Sequence, residues 1–228
     1  MKNFPITIFD NFYENPDLVR QFALSLEFTK AKDGRWPGSR TDLLSIESPN
    51  FFDTFCNKLF NIFYDLEIVD IGWKVETYFQ KIDSYSDNEN DIKNQGWIHS
   101  DNSCIFSGVV YLNPYPKPNW GTSVYKLKSG EIDDCKQETK FLHYSESKDF
   151  DEDAFIKEKK YNNDKFIETV RIENQFNRMI LFEGGVYHGV PSYYSDDEFR
   201  LTQVFFVNEL SSPCSPPIVR SKLVSCYD

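Results

Sequence analysis

The clearest periodic signal in the chain is the alternation along Gly72 to Gln80, where Trp73, Val75, Thr77 and Phe79 interleave with Lys74, Glu76, Tyr78 and Gln80. Side chains of a strand point alternately to its two faces, so this spacing predicts a β-strand with one largely apolar and one mixed polar face. A mixed polar face is what the lining of a ligand-holding barrel presents. Further strands are expected at residues 4–10, at Cys104 to Pro114, at Trp120 to Tyr125, at 178–182 and at 200–207. The second of these is rich in β-branched and aromatic residues and is stopped by Pro114, Pro116 and Pro118. On the last, Arg200, Thr202, Val204 and Phe206 fall on one face.

Helical spacing occurs before the strands. Asn15 as cap, Pro16 at the first helical position and Asp17 in the first turn predict a helix ending near Glu27. Its buried face is expected to carry Leu18, Phe22, Leu24 and Leu26, widened by Val19 and Ala23. From Pro49 to Tyr64 the apolar residues Phe51, Phe52, Phe55, Leu59, Phe60 and Phe63 follow a period near 3.6 and predict a second helix packed outside a sheet.

Three stretches break these periods. Gly34 to Thr41 is a turn-rich loop whose arginines, Arg35 and Arg40, either reach a substrate anion or stand solvated around the turn; the second is the commoner behaviour of arginine. Residues 83–94 form a polar loop, either a gate beside a site or a long exposed connection. Residues 126–169 are charge-dense, with a short exposed helix expected over Asp151 to Lys160; this insertion reads as a lid or substrate-facing surface or, by a small margin, as a solvated excursion. The tail from Ser211 to Asp228, with three prolines, is expected to pack as an extended strap.

Short strands divided by turn signals and preceded by helices predict a mainly β protein with flanking α-helices and a jelly-roll double sheet as its core. One domain is expected over 1–228, with helical elements at about 15–65, a core at about 72–210 and the insertion at about 126–169.

Composition changes this picture little. Twenty-one Phe and 13 Tyr against 10 Gly suit a strand-rich interior filled with rings. A net charge of −11 disfavours general nucleic-acid or anionic-membrane binding, and it suits a cationic peptide, a basic protein segment or an amine-bearing small molecule. Met1 to Thr7 lacks the apolar run of a signal peptide and no stretch approaches the ~20 apolar residues of a membrane span, so a soluble, cytoplasmic protein is expected. The five cysteines are odd in number and lack metal-site spacing, which points to reduced thiols.

Chemistry enters at Gln95-Gly96-Trp97-Ile98-His99-Ser100-Asp101-Asn102. His99 and Asp101 stand two residues apart, so in an extended segment both aim at one point. Downstream lie Arg178-Met179-Ile180-Leu181-Phe182, then His188-Gly189-Val190-Pro191, then Arg200. Two histidines and one carboxylate with open positions form the facial triad of non-haem Fe(II) oxygenases. Taken singly, Asp101 would cap a turn, His188 would sit satisfied in a core, and Arg200 would pair with Glu183, Asp196 or Asp197. Together these readings would leave unexplained why two of only three histidines fall in this pattern. The third, His143, lies in the insertion with no ligand partner nearby in sequence and reads as solvated or structural.

From about Tyr78 to Val207 the chain resembles the Fe(II)/2-oxoglutarate-dependent dioxygenases, particularly their prolyl-hydroxylase-like branch. The resemblance rests on His99-x-Asp101, Tyr111-Leu112-Asn113, Gly121-Thr122, Asn177 to Phe182, His188 to Pro191 and Arg200, in that order. It implies a double-stranded β-helix whose mouth holds Fe(II) on His99, Asp101 and His188. It also implies 2-oxoglutarate bound through Arg200 and Tyr111, with Thr202 adding a hydrogen bond and Tyr78 near the cosubstrate. O₂ would be the oxidant, and the substrate an unknown peptide, protein or small molecule hydroxylated at a C–H bond with release of succinate and CO₂. Trp97 and Trp120 stand where the branch has smaller residues, so a proline substrate is not implied. Rival readings are desaturation or demethylation at the same site, a cupin-like metalloenzyme without 2-oxoglutarate, and a non-catalytic jelly-roll binding module.

Overall fold

The computed structural model describes residues 6–134 and 137–213. The expected strap beyond residue 213, with Cys214 and Cys226, and also Cys135, lie outside the described residues. In chain order the elements are β1 (Thr7–Phe9), α1 (Pro16–Ser25), β2 (Thr29–Lys30), β3 (Ser39–Arg40), α2 (Leu44–Glu47), α3 (Pro49–Asn61), β4 (Gly72–Ile82), β5 (Phe106–Tyr111) and β6 (Thr122–Leu127). They continue with α4 (Glu138–Tyr144), α5 (Glu152–Asn163), β7 (Phe166–Ile172), β8 (Met179–Glu183), β9 (Tyr187–Gly189) and β10 (Arg200–Ser211). The protein is mainly β with flanking helices, as the sequence pattern predicts.

Two antiparallel sheets form: β1-β8-β5-β10-β4-β3-β2 and β7-β6-β9. Both faces of the large sheet are covered, and the sequence of β8 shows why. Met179 and Leu181 pack with α3, through Phe55, Leu59 and Phe60, while Ile180 and Phe182 pack with Val124 and Ile172 of the small sheet. A strand buried on both sides is apolar throughout rather than alternating. Each such ring or branched chain taken from water contributes about 1.5–3 kcal/mol.

β4 and β10 pair over their full length, with Thr202 opposite Gln80 and Val204 opposite Tyr78. Val75, Phe79, Leu201, Phe205 and Val207 face the helices. The other face turns Glu76, Gln80, Arg200, Val204 and Phe206 toward a cavity between the sheets, which realises the mixed polar lining read from the alternation.

Some expectations shift. In α1, Leu18 and Leu24 are exposed (62% and 43%), and the packed residues are Val19, Phe22, Ala23 and Leu26. These follow the i, i+3, i+4, i+7 spacing of one helical face, whereas Leu18 and Leu24 flank it. Asn15 makes no side-chain cap bond, while Asp151 caps α5 by accepting from the Ala154 N–H at 3.1 Å. β7 begins within the stretch expected to be an insertion. Its middle residues, Ile167 to Arg171, are exposed, so its sequence lacks a buried stripe. Residues 83–94 wrap around Asn94, whose buried amide accepts from the N–H groups of Tyr85 (2.8 Å) and Ser86 (3.2 Å) and donates to the carbonyls of Ser86 (2.8 Å) and Asn88 (3.0 Å). Among the described residues no helix is long and apolar enough to cross a membrane, and Cys56 and Cys104 are free thiols.

Candidate metal centre

His99 lies outside the named strands, on an extended segment that pairs with β9. Its N–H donates to the His188 carbonyl at 3.0 Å and its carbonyl accepts from the His188 N–H at 2.8 Å, so the two histidines sit directly opposite each other. Closely opposed residues of an antiparallel pair project their side chains to the same side. The pairing continues upstream, where the Gly96 N–H donates to the Val190 carbonyl at 2.8 Å. A Cβ on Gly96 would stand 2.6 Å from that carbonyl, so the approach requires glycine. Downstream, the Asp101 N–H donates to the Gly184 carbonyl at 2.7 Å, and a Cβ on Gly184 would meet the Asp101 carbonyl at 2.4 Å.

The other side of this segment is held by α5. Asn163 accepts from the Ile98 N–H (3.1 Å) and donates to the Gly96 carbonyl (3.0 Å), while Asn162 donates to the Ile98 carbonyl (2.9 Å). Two side-chain amides thus take the place of a neighbouring strand.

The three ligand atoms of His99, Asp101 and His188 lie within 4.8 Å of one another. His99 Nε2 stands 3.7 Å from Asp101 Oδ1, and His188 Nε2 stands 3.5 Å from Asp101 Oδ2. Each Nδ1 faces a backbone carbonyl: Trp97 O at 2.8 Å for His99 and Val186 O at 2.9 Å for His188. A carbonyl only accepts, so Nδ1 carries a proton in both rings and each Nε2 is the atom turned toward the shared point. Burial, reinforced by His188 and Lys140, pulls the His99 pKa down to about 3, which keeps that imidazole neutral. Burial pushes the Asp101 carboxyl upward, but His188, His99, the Ser107 hydroxyl and Arg40 outweigh it and hold the group below its usual value. Ser107 donates to Asp101 Oδ2 at 2.7 Å.

Arg200 is 2% exposed. Its Nε donates to the Trp120 carbonyl at 2.7 Å, its Nη2 is buried without a partner, and it makes no ion pair among the described residues. Asp196 and Asp197 are engaged elsewhere, by Tyr194 and Lys117. Desolvation lowers the Arg200 pKa, with Tyr111 and Tyr193 acting against it. The Tyr111 ring lies 5.5 Å from the guanidinium carbon, and its hydroxyl donates to Thr122 Oγ1 at 2.9 Å. Thr202 Oγ1 is buried and unpartnered.

Tyr111 and Thr202 lie buried behind the cavity wall, and two further expected residues stand elsewhere. Tyr78 does not line the cavity; its hydroxyl donates to Glu76 at 3.2 Å. Trp120 is fully buried behind Arg200, with its indole N–H on the Tyr194 carbonyl at 2.9 Å, so only Trp97 of the two rings reaches the cavity wall. Residues that the sequence reading missed include Ser107, Asn162, Asn163 and Lys140, the last lining the cavity from α4. A hydroxyl and two amides in long polar stretches give no periodic signal that could have marked them. Arg40, an open choice in the sequence, lies on the cavity wall.

Comparison with known proteins places this geometry. The chain matches the model of a family described as "Family of unknown function (DUF6445)" over residues 1–191, and it belongs to that family. No curated protein matches. Among solved structures, HygX from Streptomyces hygroscopicus with nickel, 2-oxoglutarate and hygromycin B bound is 13% identical, covering 90% of this chain and 83% of that one at a TM-score of 0.54. HygX with nickel and 2-oxoglutarate gives 12% identity, the same coverages of 90% and 83%, and a TM-score of 0.52. A Pseudomonas putida prolyl-4-hydroxylase is 15% identical, covering 90% of this chain and 92% of that one at 0.48. The HygX likeness shows a double-stranded β-helix fold, and at this identity it speaks for the fold alone.

Proposed function

We propose that this member of the DUF6445 family is an Fe(II)- and 2-oxoglutarate-dependent dioxygenase. In this reading a single cytoplasmic oxygenase domain hydroxylates a C–H bond of a small molecule or a peptide side chain and releases succinate and CO₂. One observation carries the reading: the His99, Asp101 and His188 ligand atoms and the unpartnered Arg200 Nη2 open into one cavity.

The residues fit the cofactors. Two imidazoles and an ionised carboxylate suit a borderline cation such as Fe(II) and leave positions open for other ligands. When bound, the iron supplies the activation of O₂ and the coordination of a 2-oxo acid, which is the cofactor's chemistry rather than the protein's. The chain's part is to hold and orient. Trp97 O and Val186 O fix both imidazole tautomers, and Ser107 fixes the carboxylate. Arg200 offers Nη2 to the far carboxylate of 2-oxoglutarate, with the planar, permanently charged donor that such a group needs. Thr202 Oγ1 is free to add a bond, and Tyr111 packs beside the guanidinium with its hydroxyl turned to Thr122. The Phe182 ring, 4.3 Å from His188, backs the triad with apolar surface.

The test is an anaerobic titration of metal-free protein with Fe(II) and then 2-oxoglutarate. A visible charge-transfer band should appear in the wild type and be missing in His99→Ala. A folded, iron-loaded protein that gives no band with 2-oxoglutarate would overturn the proposal and favour a binding module.

A further inference from the structure

The cavity, about 370 Å³ and so at the small end of ligand pockets, carries polar groups that iron and 2-oxoglutarate leave unused. Four buried side-chain polar atoms on its wall lack a hydrogen-bond partner among the described residues: Arg200 Nη2, Arg40 Nε, Trp36 Nε1 and Trp97 Nε1. All four are N–H donors with nothing to accept. The first is assigned above to the cosubstrate. The other three are donors packed into the wall, and of these residues Arg40 is the charged one that is also partly accessible from the cavity.

Arg40 gives that surface its charge. Its guanidinium carbon lies 4.7 Å from the Trp36 ring centroid and 5.5 Å from those of Tyr78 and Phe206. Aromatic faces hold a cation in place without neutralising it. No ion pair or side-chain hydrogen bond satisfies Arg40 among the described residues, and burial pulls its pKa down to about 10. Its charge also helps lower the Asp101 carboxyl, so it acts within electrostatic reach of the triad.

The charge balance of the wall points the same way. Arg40, Lys140 and Arg200, with Arg35 already paired to Asp33 at 2.9 Å, line the cavity against Glu76 and Asp101, in a chain whose net charge is −11. Glu76 is tied to Asn208 at 3.1 Å and to Tyr78 at 3.2 Å, and Asp101 belongs to the triad. The acidic surface therefore does not describe the site.

We infer that the substrate is a small organic acid whose carboxylate docks on Arg40, beside the Trp36 ring, so that a C–H bond beyond the carboxylate faces the triad. This rests on the oxygenase reading and narrows its substrate class, replacing the cationic substrate that overall charge favours.

The test uses the full chain loaded with Ni(II), which does not turn over, and with 2-oxoglutarate, whose binding is measured first by calorimetry. The loaded protein is then titrated with acetate, benzoate and 3-phenylpropanoate and with the matching neutral amides. The readout is intrinsic fluorescence, because Trp36 and Trp97 stand on the cavity wall. At least one acid should give a saturating change that its amide does not. Arg40→Gln should weaken that acid roughly ten- to a hundredfold, the loss expected for a charged hydrogen bond. Arg40→Lys, which keeps the charge and loses the fork, should fall between. Retained 2-oxoglutarate binding in Arg40→Gln certifies its fold. Acids and amides that behave alike, or an acid response unchanged in Arg40→Gln, overturn the inference. Failure of 2-oxoglutarate to bind wild-type protein instead overturns the oxygenase reading, and an Arg40-dependent acid response would survive that result.

Discussion

The two walls of the cavity are built from different material. One is extended backbone: β4, β5, β10 and the pairing of His99 with His188 set the register of Arg200, Ser107 and both imidazoles. The other is assembled from pieces far apart in the chain, the loop carrying Arg35 and Trp36 and the helix α4, with α5 packed behind the metal-bearing segment. Gly34, at φ +67°, lies so close to α4 that a Cβ there would stand 1.8 Å from the Phe141 carbonyl. Backbone pairing makes the first wall's chemistry a matter of counting along a strand. Tertiary packing makes the second wall's chemistry depend on which loop meets which helix, and no local count reveals that.

If the strand wall carries the metal, its loss should be the largest effect available. Asp101→Ala removes the carboxylate that stands within 3.7 Å of both imidazole Nε2 atoms. Fe(II) affinity, followed by calorimetry on anaerobic protein, should fall by roughly three orders of magnitude, or about 4 kcal/mol. The fold should persist, because the Asp101 N–H and carbonyl bonds are backbone and remain. A variant that still binds iron at wild-type affinity would mean that the three groups do not act as one site.

The helical wall also holds the strand wall, and Asn162 measures how firmly. Its amide donates to the Ile98 carbonyl, one residue before His99. Asn162→Ala leaves that carbonyl unpaired in a buried setting, a cost of about 1–3 kcal/mol in stability. Supporting partners of this kind change metal affinity by about 10–100-fold. Thermal denaturation and the same iron titration read the two effects separately. A stability loss with unchanged iron affinity would show that α5 covers the metal segment without orienting it.

This division explains what the sequence disclosed. The periods of β4 and β10 indicated strands and the His-x-Asp spacing a shared direction for His99 and Asp101, because a repeat of two residues is itself a statement about direction; the join to His188 and Arg200 came from the family resemblance. Tyr78 shows the limit of the same rule: it shares the face of Glu76 and Gln80, yet its hydroxyl turns to Glu76 instead of lining the cavity. Alternation gives the side of the sheet and not the reach of the side chain. The charged stretch from 126 to 169 was harder still. Its helices present mixed faces, with buried Lys140, Lys159 and Asn162 beside exposed acids, and Lys140 and Tyr144 line the cavity, so the stretch is packed against the site and is not a solvated excursion. It packs as a wall, and Lys159 and Asn162 are buried where they reach the backbone carbonyls of Lys93 and Ile98 in a distant segment.

His143 offers the finest test of that packing. Its ring lies 4.2 Å from Phe155, 4.8 Å from Phe150 and 4.9 Å from Tyr85, which ties α4, α5 and the 83–94 loop together. Burial is the main reason its pKa falls to about 4; Lys159 and Lys93 add to this, while Glu152 and Glu146 oppose it. A base with a depressed folded pKa stays neutral in the native state, while the unfolded chain takes up a proton near pH 6.5. The native state then binds fewer protons, so the stability this group contributes is complete above pH 6.5 and drains away as the pH falls toward 4. Across that window the loss should amount to roughly 1–3 kcal/mol. His143→Phe keeps the ring, removes an Nε2 that has no partner, and should flatten the fall in melting temperature between pH 7 and pH 4.5 relative to wild type. Other titrating groups are common to both proteins, so the difference between the two curves isolates this ring. Parallel curves would mean that His143 meets solvent at the helical wall, and that this wall is looser than the strand wall it faces.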